Sequence, residues 1–274
     1  MRAAVIQLSS QDDVANNLGR VRALIADAAR AGAELVALPE NFAFMGEESK
    51  KCEVAEGTEE HNKGPITVAL TEAARESGVW LVAGGMPEAS ADPARPYNTS
   101  LLVTPDGRVA ARYRKIHLFD VDLPDGTKAL ESGATSAGGE SVVAELGAPA
   151  PSGTKLGMTI CYDLRFPELY RKLVGEGARI VTVPAAFTLT TGKDHWHVLL
   201  RARAIENQVF VIAPAQHGRH PRGRTTYGKS LIVDPWGDVL AQCGEGEGYA
   251  LARLDFAAQD RVRASLPCLS HRRL

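Results

Sequence analysis

Short apolar runs alternate along this chain with segments of helical spacing, and that alternation limits the fold more than any single motif does. Ala3 to Leu8 reads as a strand. Val14 to Ala31 follows, with Val14, Leu18, Val21, Leu24 and Ile25 at helical spacing and Gly32 as the stop. Glu34 to Pro39 is a second buried strand, Ile66 to Ser77 a helix ended by Gly78, and Val79 to Ala83 a third strand. Strand, helix, strand predicts crossover units with helices covering a sheet.

Hairpins interrupt the crossovers. Tyr97 to Thr104 and Val109 to Lys115 flank Pro105-Asp106-Gly107, a turn signal between two apolar runs. A connection from Gly46 to Gly64 is predicted to hold a helical piece. His117 to Glu140 is rich in Gly, Asp and Ser, and connections this long inside compact domains tend to be functional. The second half repeats the mixture: strands at Ser141 to Leu146, Leu156 to Ile160, Arg179 to Pro184 and Val209 to Ala213, with a helix at Trp196 to Gln208. Strands at Lys229 to Val233, Val239 to Gln242 and Tyr249 to Leu254, a turn at Pro235-Trp236-Gly237 and a helix at Ala257 to Ser265 complete it. No linker or low-complexity stretch divides the chain, so one α/β domain with mixed sheets is expected over 1–274.

At 274 residues and 45% hydrophobic content, the chain can bury a sizeable core. A formal net charge of −2 offers no global basic field for nucleic acid or an anionic membrane. Cys52, Cys161, Cys243 and Cys268 are scattered and form neither a disulfide framework nor a zinc-ribbon pattern. The first apolar run is too short for a signal peptide, and no run approaches the ~20 residues that span a bilayer. A cytoplasmic protein is expected. Asn98-Thr99-Ser100 is a formal glycosylation sequon that carries no meaning without secretion.

Lys155 to Pro167 is the stretch with the most chemistry. A strand runs into Cys161, and Pro167 opens a helix. A thiol at such a turn meets a helix N-terminus, which favours thiolate; alternatively it is a small buried hydrophobe. Glu40 and Lys115 likewise fall at the C-terminal ends of predicted strands, the edge where sites assemble in open α/β sheets. Singly, each reads as a solvated charge. Jointly they form a set: a nucleophile, a base to deprotonate it, and a cation for an oxyanion.

These residues lie in Leu38-Pro39-Glu40-Asn41, in Tyr113 to Asp120 (Tyr-Arg-Lys-Ile-His-Leu-Phe-Asp) and in Ile160 to Glu168 (Ile-Cys-Tyr-Asp-Leu-Arg-Phe-Pro-Glu). In order and spacing, the three segments resemble the signatures of the nitrilase superfamily of carbon–nitrogen hydrolases, and the resemblance covers essentially the whole chain. It implies an α-β-β-α sandwich, two mixed sheets flanked by helices, assembled as a homodimer or higher homo-oligomer. It also implies Glu40 as base, Cys161 as nucleophile, and Lys115 with the Tyr162 backbone N–H as oxyanion donors. Glu40 would then protonate departing ammonia, and water would hydrolyse the thioester. Glu131, in Leu-Glu-Ser-Gly, matches a second glutamate of such enzymes and takes a positioning role. The substrate is a small-molecule amide, with no cofactor and no metal.

Ala186 to Gln208 resembles the Nit group, which includes ω-amidases and deaminated glutathione amidases; Ala215 to His220 with Tyr227 to Gly237 is closer to the latter. An ω-amidase for α-ketoglutaramate, an N-carbamoyl amide hydrolase and a catalytically idle binding scaffold are the alternatives. Carboxylate-bearing substrates suit an arginine near the nucleophile. Arg165 would grip the α-keto acid end with Thr191 donating a hydrogen bond, or else pair structurally with Glu168 or Asp163. The basic loop at Arg219–Arg224 would meet a distal carboxylate or be solvated.

Gly223 to Ser230 matches the phosphate-loop pattern, but Leu231-Ile232-Val233 continues as a strand, so no helix N-terminus is available for phosphate. His195 and His197 face apart on a helix, and His217 and His220 sit in a loop expected to be flexible, without nearby acidic or cysteine partners. A nucleotide or metal site is not expected.

Overall fold

The computed structural model describes residues 1–122 and 128–273; residues 123–127 of the long His117–Glu140 connection lie outside the described residues. In chain order the strands are β1 (Arg2–Gln7), β2 (Leu35–Ala37), β3 (Trp80–Glu88), β4 (Tyr97–Val103), β5 (Val109–Arg114), β6 (Asp120–Asp122), β7 (Lys128–Leu130) and β8 (Val142–Glu145). They continue with β9 (Lys155–Met158), β10 (Ala178–Thr182), β11 (Phe210–Ala213), β12 (His217–Arg219), β13 (Thr225–Tyr227), β14 (Leu231–Val233), β15 (Val239–Gln242) and β16 (Gly248–Arg253). The helices are α1 (Val14–Arg30), α2 (Pro65–Ser77), α3 (Pro167–Gly175), α4 (Leu189–Asn207) and α5 (Phe256–Ser265).

Two six-stranded mixed sheets carry the fold, in the orders β16-β1-β2-β3-β4-β5 and β15-β14-β11-β10-β9-β8. Each has three parallel strands at its centre, one antiparallel strand on one side and an antiparallel pair on the other. The loose likeness of the two halves is therefore a likeness of topology. Side-chain alternation assigns the layers. Ala3, Val5, Leu35, Ala37, Trp80 and Val82 join the core shared with the second sheet, whereas Ala4, Ile6, Val36, Leu81 and Ala83 pack with α1 and α2. Helices α3 and α4 cover the second sheet. The expected sandwich of two mixed sheets flanked by helices is the architecture found.

Local chemistry explains the boundaries. Asp13 caps α1 by accepting from the Asn16 N–H, and Asn17, Val21, Ile25 and Ala28 form its buried face. Pro65 opens α2, and Gly78, left-handed at φ 65°, ends it. Helix α4 begins at Leu189 instead of the expected Trp196, because Thr188 caps it where apolar periodicity is absent. Gly192 in its first turn is needed for packing: a Cβ there would lie 2.3 Å from Tyr227 Cβ. The His117–Glu140 connection is not irregular throughout. It contains the β6–β7 pair and a 3-10 turn at Glu131–Gly133. The loop with His217 and His220 is the β12–β13 hairpin, and His220 is buried between the Ser10 carbonyl and the Thr226 hydroxyl. Burial pushes its imidazole down to about 4. His217 faces Glu245, a carboxylate distant in sequence, across 3.6 Å.

One irregularity sits against Glu40. The β3–β4 register shifts between Ala83 and Met86, at Gly84-Gly85. The Asn41 N–H donates to the Gly85 carbonyl at 2.8 Å, which draws the chain just after β2 onto this bulge. A Cβ at Gly84 would lie 2.1 Å from the Pro39 carbonyl oxygen, so backbone would have to move. Gly84→Ala is expected to lower stability by about 1–3 kcal/mol in urea titration. Gly19→Ala, at an exposed helical site with open space around it, is expected to raise stability by up to about 1 kcal/mol. Equal effects from the two would discard the close-approach explanation.

Candidate active site

Glu40, Lys115 and Cys161 come just after β2, β5 and β9, at their C-terminal ends. Glu40 and Lys115 are only 3% and 2% exposed, so neither is a solvated loop charge. Lys115 Nζ donates to Glu40 Oε1 at 3.0 Å and to Glu131 Oε2 at 2.8 Å. Asn98 Nδ2 donates to Glu40 Oε1 at 2.9 Å and reaches Glu131 Oε1 at 3.3 Å. Phe119 N–H donates to Glu131 Oε2 at 2.7 Å, and Ala186 N–H to Glu40 Oε2 at 3.0 Å. Both carboxylates are thus held at fixed orientation by backbone and side-chain donors.

Burial alone would strip the Lys115 proton. Glu131 and then Glu40 outweigh it and hold the ammonium well above its ordinary range. Burial likewise opposes the Glu131 charge, but Lys115, then Lys51, keep its carboxyl below the usual range. Cys161 goes the other way. Burial first, then the Glu40 charge, push the thiol up, with Lys115 only partly opposing them. The expectation of a thiolate-favouring turn is therefore overturned: the apolar surroundings and the adjacent carboxylate dominate over any helix N-terminus. The sulfur carries its proton at neutral pH, beside a carboxylate that can accept it.

Cys161 has a left-handed backbone, φ 47°, unusual for a non-glycine residue. Two contacts hold it there. Cys161 N–H donates to the Pro184 carbonyl at 2.8 Å. Asp163, fully buried, accepts from Ile160 N–H at 2.8 Å, Tyr113 Oη at 2.6 Å and His117 N–H at 3.2 Å. His117 Nδ1 lies 2.7 Å from the same carboxylate, which can only accept, so this nitrogen carries the proton. The Asp163 carboxylate thus ties the Cys161 turn to residues on either side of Lys115. Tyr113, His117 and Asp163 belong to the signature segments, but sequence reasoning assigns them no function. Asn98 stands out in the sequence only as a sequon; it is buried, and its amide faces the two glutamates instead of solvent.

Tyr162 lies in the first half of the 3-10 turn Cys161–Arg165, where the leading N–H groups have no partner within the helix. Its ring meets Phe119 and Phe166 edge-on. Arg165 pairs with neither Glu168 nor Asp163. Its guanidinium lies 3.3 Å from His195 Nδ1 and 5.3 Å from the centroid of Phe187, with no carboxylate partner among the described residues. Thr191 is in the first turn of α4, its hydroxyl 2.8 Å from that of Thr188. In the basic loop, Arg222 pairs with Glu47 and Arg224 with Glu48. The Gly223–Ser230 stretch runs through β13 into β14, and the Ser230 hydroxyl accepts from Ala215 N–H at 2.7 Å, as befits a structural segment.

The carbon-nitrogen hydrolase family model matches residues 2–264. The chain belongs to the carbon-nitrogen hydrolase family. Within it, the chain is 46% identical over 275 aligned positions to a deaminated glutathione amidase of Synechocystis sp., covering 98% of this chain and 97% of that protein. The crystal structure of Saccharomyces cerevisiae Nit3, of branch 10 of the nitrilase superfamily, superposes with a TM-score of 0.87 at 31% identity, covering 100% of this chain and 97% of that one. A glutamate-to-glutamine mutant of an amidase from Nesterenkonia sp., 28% identical with a TM-score of 0.78 over 97% of this chain and 95% of its own, carries the acetamide moiety of fluoroacetamide added covalently at its active-site cysteine.

Tyr113→Phe removes one hydrogen bond to the buried Asp163 charge, and about 1.5–3 kcal/mol of stability should go with it. Urea denaturation measures the loss; a change within about 0.5 kcal/mol would show that the carboxylate does not join the two segments energetically.

Proposed function

We propose that this carbon-nitrogen hydrolase is a cysteine-dependent amidase acting on deaminated glutathione or a closely related α-keto acid amide. The observation that carries the reading is the buried Glu40–Lys115–Glu131 charge cluster, which lies close enough to the Cys161 thiol for the Glu40 and Lys115 charges to act on it. It supplies every group that amide cleavage through a thioester requires.

Because the thiol is protonated at rest, attack is coupled to proton transfer. Glu40 takes the proton as sulfur bonds to the amide carbon. Negative charge then develops on the carbonyl oxygen, where Lys115 and the Tyr162 N–H are the donors. Glu131 positions Lys115 and keeps it protonated. Glu40 returns the proton to the departing amine, the C–N bond breaks, and a thioester remains. Water, deprotonated by Glu40, adds to the thioester and frees the acid and the thiol. The departing group needs correction from ammonia: in deaminated glutathione the scissile nitrogen bears cysteinylglycine, so a dipeptide amine leaves. Ammonia leaves only from a primary amide such as α-ketoglutaramate.

Arg165 binds the α-keto acid carboxylate, with Thr191 as a hydrogen-bond donor. What supports this is a guanidinium near the nucleophile's own turn that no acidic side chain neutralises among the described residues. The domain spans 1–274 and works in the cytoplasm as a homodimer or higher homo-oligomer. Exposed Val198 and Ile205 on α4, next to the hairpin bearing exposed Trp236 and Leu240, support self-association. No described helix is long and apolar enough to cross a membrane.

Wild-type protein should cleave deaminated glutathione with release of cysteinylglycine, at a kcat/KM above that for α-ketoglutaramate. Cys161→Ala should lose at least about a thousandfold in kcat. Arg165→Met should raise KM about 10–100-fold with kcat changed far less. A stable acyl mass increment on Cys161 at high substrate would identify the intermediate. Equal turnover by wild type and Cys161→Ala would discard the mechanism; preference for α-ketoglutaramate would move the substrate to the ω-amidase class.

A further inference from the structure

The charged chain does not stop at Glu131. Lys51, in the 3-10 segment Glu48–Val54, is 6% exposed, and its ammonium is 2.6 Å from Glu48 Oε2. The other Glu48 oxygen accepts from Arg224 at 3.1 Å. Lys51 lines the same recess as Asn41, Asn98 and Thr135. Asn41 is the residue after Glu40, and the Asn98 amide contacts both glutamates. From the nucleophile outward the signs alternate: Glu40, Lys115, Glu131, Lys51, Glu48, Arg224.

We propose that Lys51 is a positioning residue, a buried cation anchored on Glu48 and set beside Asn98, whose amide contacts Glu131, that keeps Glu131 ionised. The proposal rests on Cys161 being activated by Glu40, Lys115 and Glu131. Without Lys51 the buried inner group has two carboxylates for one ammonium, an excess negative charge in a site of low polarisability. Lys51 neutralises that excess through space, since it makes no direct contact with Glu131. Its influence on Glu131 comes second among the charges, after Lys115. Glu48 feels Glu131 in turn, which puts the outer pair within range of the inner one. The groups facing Lys51 are Glu48 from its own segment, Glu131 after β7 with Lys115 behind it, Tyr97 and Asn98 from β4, and Arg224 through Glu48. The basic loop therefore has a structural part in the site: it fixes Glu48, which fixes Lys51.

The sign of the effect is set by charge alone. Removing a cation raises the proton affinity of every neighbouring acid, whether Glu131, Glu40 or the thiol itself. Removing an anion lowers it. The experiment is the pH dependence of Cys161 alkylation by iodoacetamide, read by peptide mass spectrometry so that Cys52, Cys243 and Cys268 are scored separately. Lys51→Met should move the Cys161 profile to higher pH by about one unit. Lys51→Arg should restore it. Circular dichroism and the unchanged alkylation of the buried Cys243 establish that each variant is folded. A Lys51→Met profile that does not move, or a Lys51→Arg profile that moves as far as that of Lys51→Met, overturns the proposal, because a purely structural role has no reason to follow charge. Alkylation that needs no amide substrate separates the two readings. Glu40-dependent alkylation without turnover of α-keto amides removes the substrate assignment and leaves Lys51 standing. Alkylation indifferent to Glu40→Gln removes both.

Discussion

One ammonium held between two carboxylates, out of reach of water, is the constraint around which this molecule is built. Burying a single ion costs several kcal/mol even after relaxation, and three together are tolerable only when each finds charge and hydrogen bonds nearby. Lys115 meets both glutamates, and each glutamate also has neutral donors: Asn98 and Ala186 N–H for Glu40, Asn98 and Phe119 N–H for Glu131. These donors come from β4, from the segment after β10 and from the connection after β5. Misplacing any one of them leaves a buried charge short of a partner. The fold's task is therefore registry, and the bulge at Gly84-Gly85 shows it. A Cβ at Gly85 would sit 2.0 Å from Asn98 Oδ1 and 3.1 Å from Glu40 Cγ, so the absence of a side chain there is what lets the two meet.

The same balance of charge explains why the Cys161 thiol is pushed up and not down. A preformed anion at Cys161 would add negative charge beside the Glu40 carboxylate. In the proposed mechanism, keeping the proton on sulfur until substrate arrives lets the carbonyl oxygen, and not the sulfur, take the charge near Lys115. The left-handed backbone at Cys161 and the Asp163 contacts then set direction, where charge sets timing.

Glu40, Lys115 and Cys161 are legible in the sequence because each ends an apolar run, and strand ends are where side chains leave a sheet. The layers of the sandwich are legible only through family resemblance, since alternation tells which residues share a face but not what covers it. Asn98 is hidden by its context: Tyr-Asn-Thr-Ser reads as a polar strand start, and nothing local announces that two glutamates from elsewhere will meet its amide. The first two turns of α4 are hidden for a different reason. Leu-Thr-Thr-Gly-Lys-Asp-His lacks a buried stripe, and helix there depends on the Thr188 cap and on Tyr227 packing against Gly192. Asp163 stands in plain view two residues after the nucleophile, yet its role is illegible because its partners Tyr113 and His117 are 50 and 46 residues away. Sequence shows which chemistry is available; long-range contacts decide which of it is used.

The topological likeness of the two sheets hides a division of labour. Each sheet repeats three parallel strands with the same flanks, yet their contributions to the site differ. The first sheet brings Glu40 and Lys115, and the second brings Cys161 and the Ala186 N–H. Neither sheet alone holds both Cys161 and Glu40. Asp163 crosses the junction, binding Ile160 N–H on one side and Tyr113 and His117 on the other, so the link between sheets also ties the Cys161 turn to the segment that carries Lys115. The position of the Glu40 carboxylate relative to the Cys161 sulfur therefore depends on how the two sheets are joined, and under the proposed mechanism stability at that junction and competence for the first chemical step are coupled.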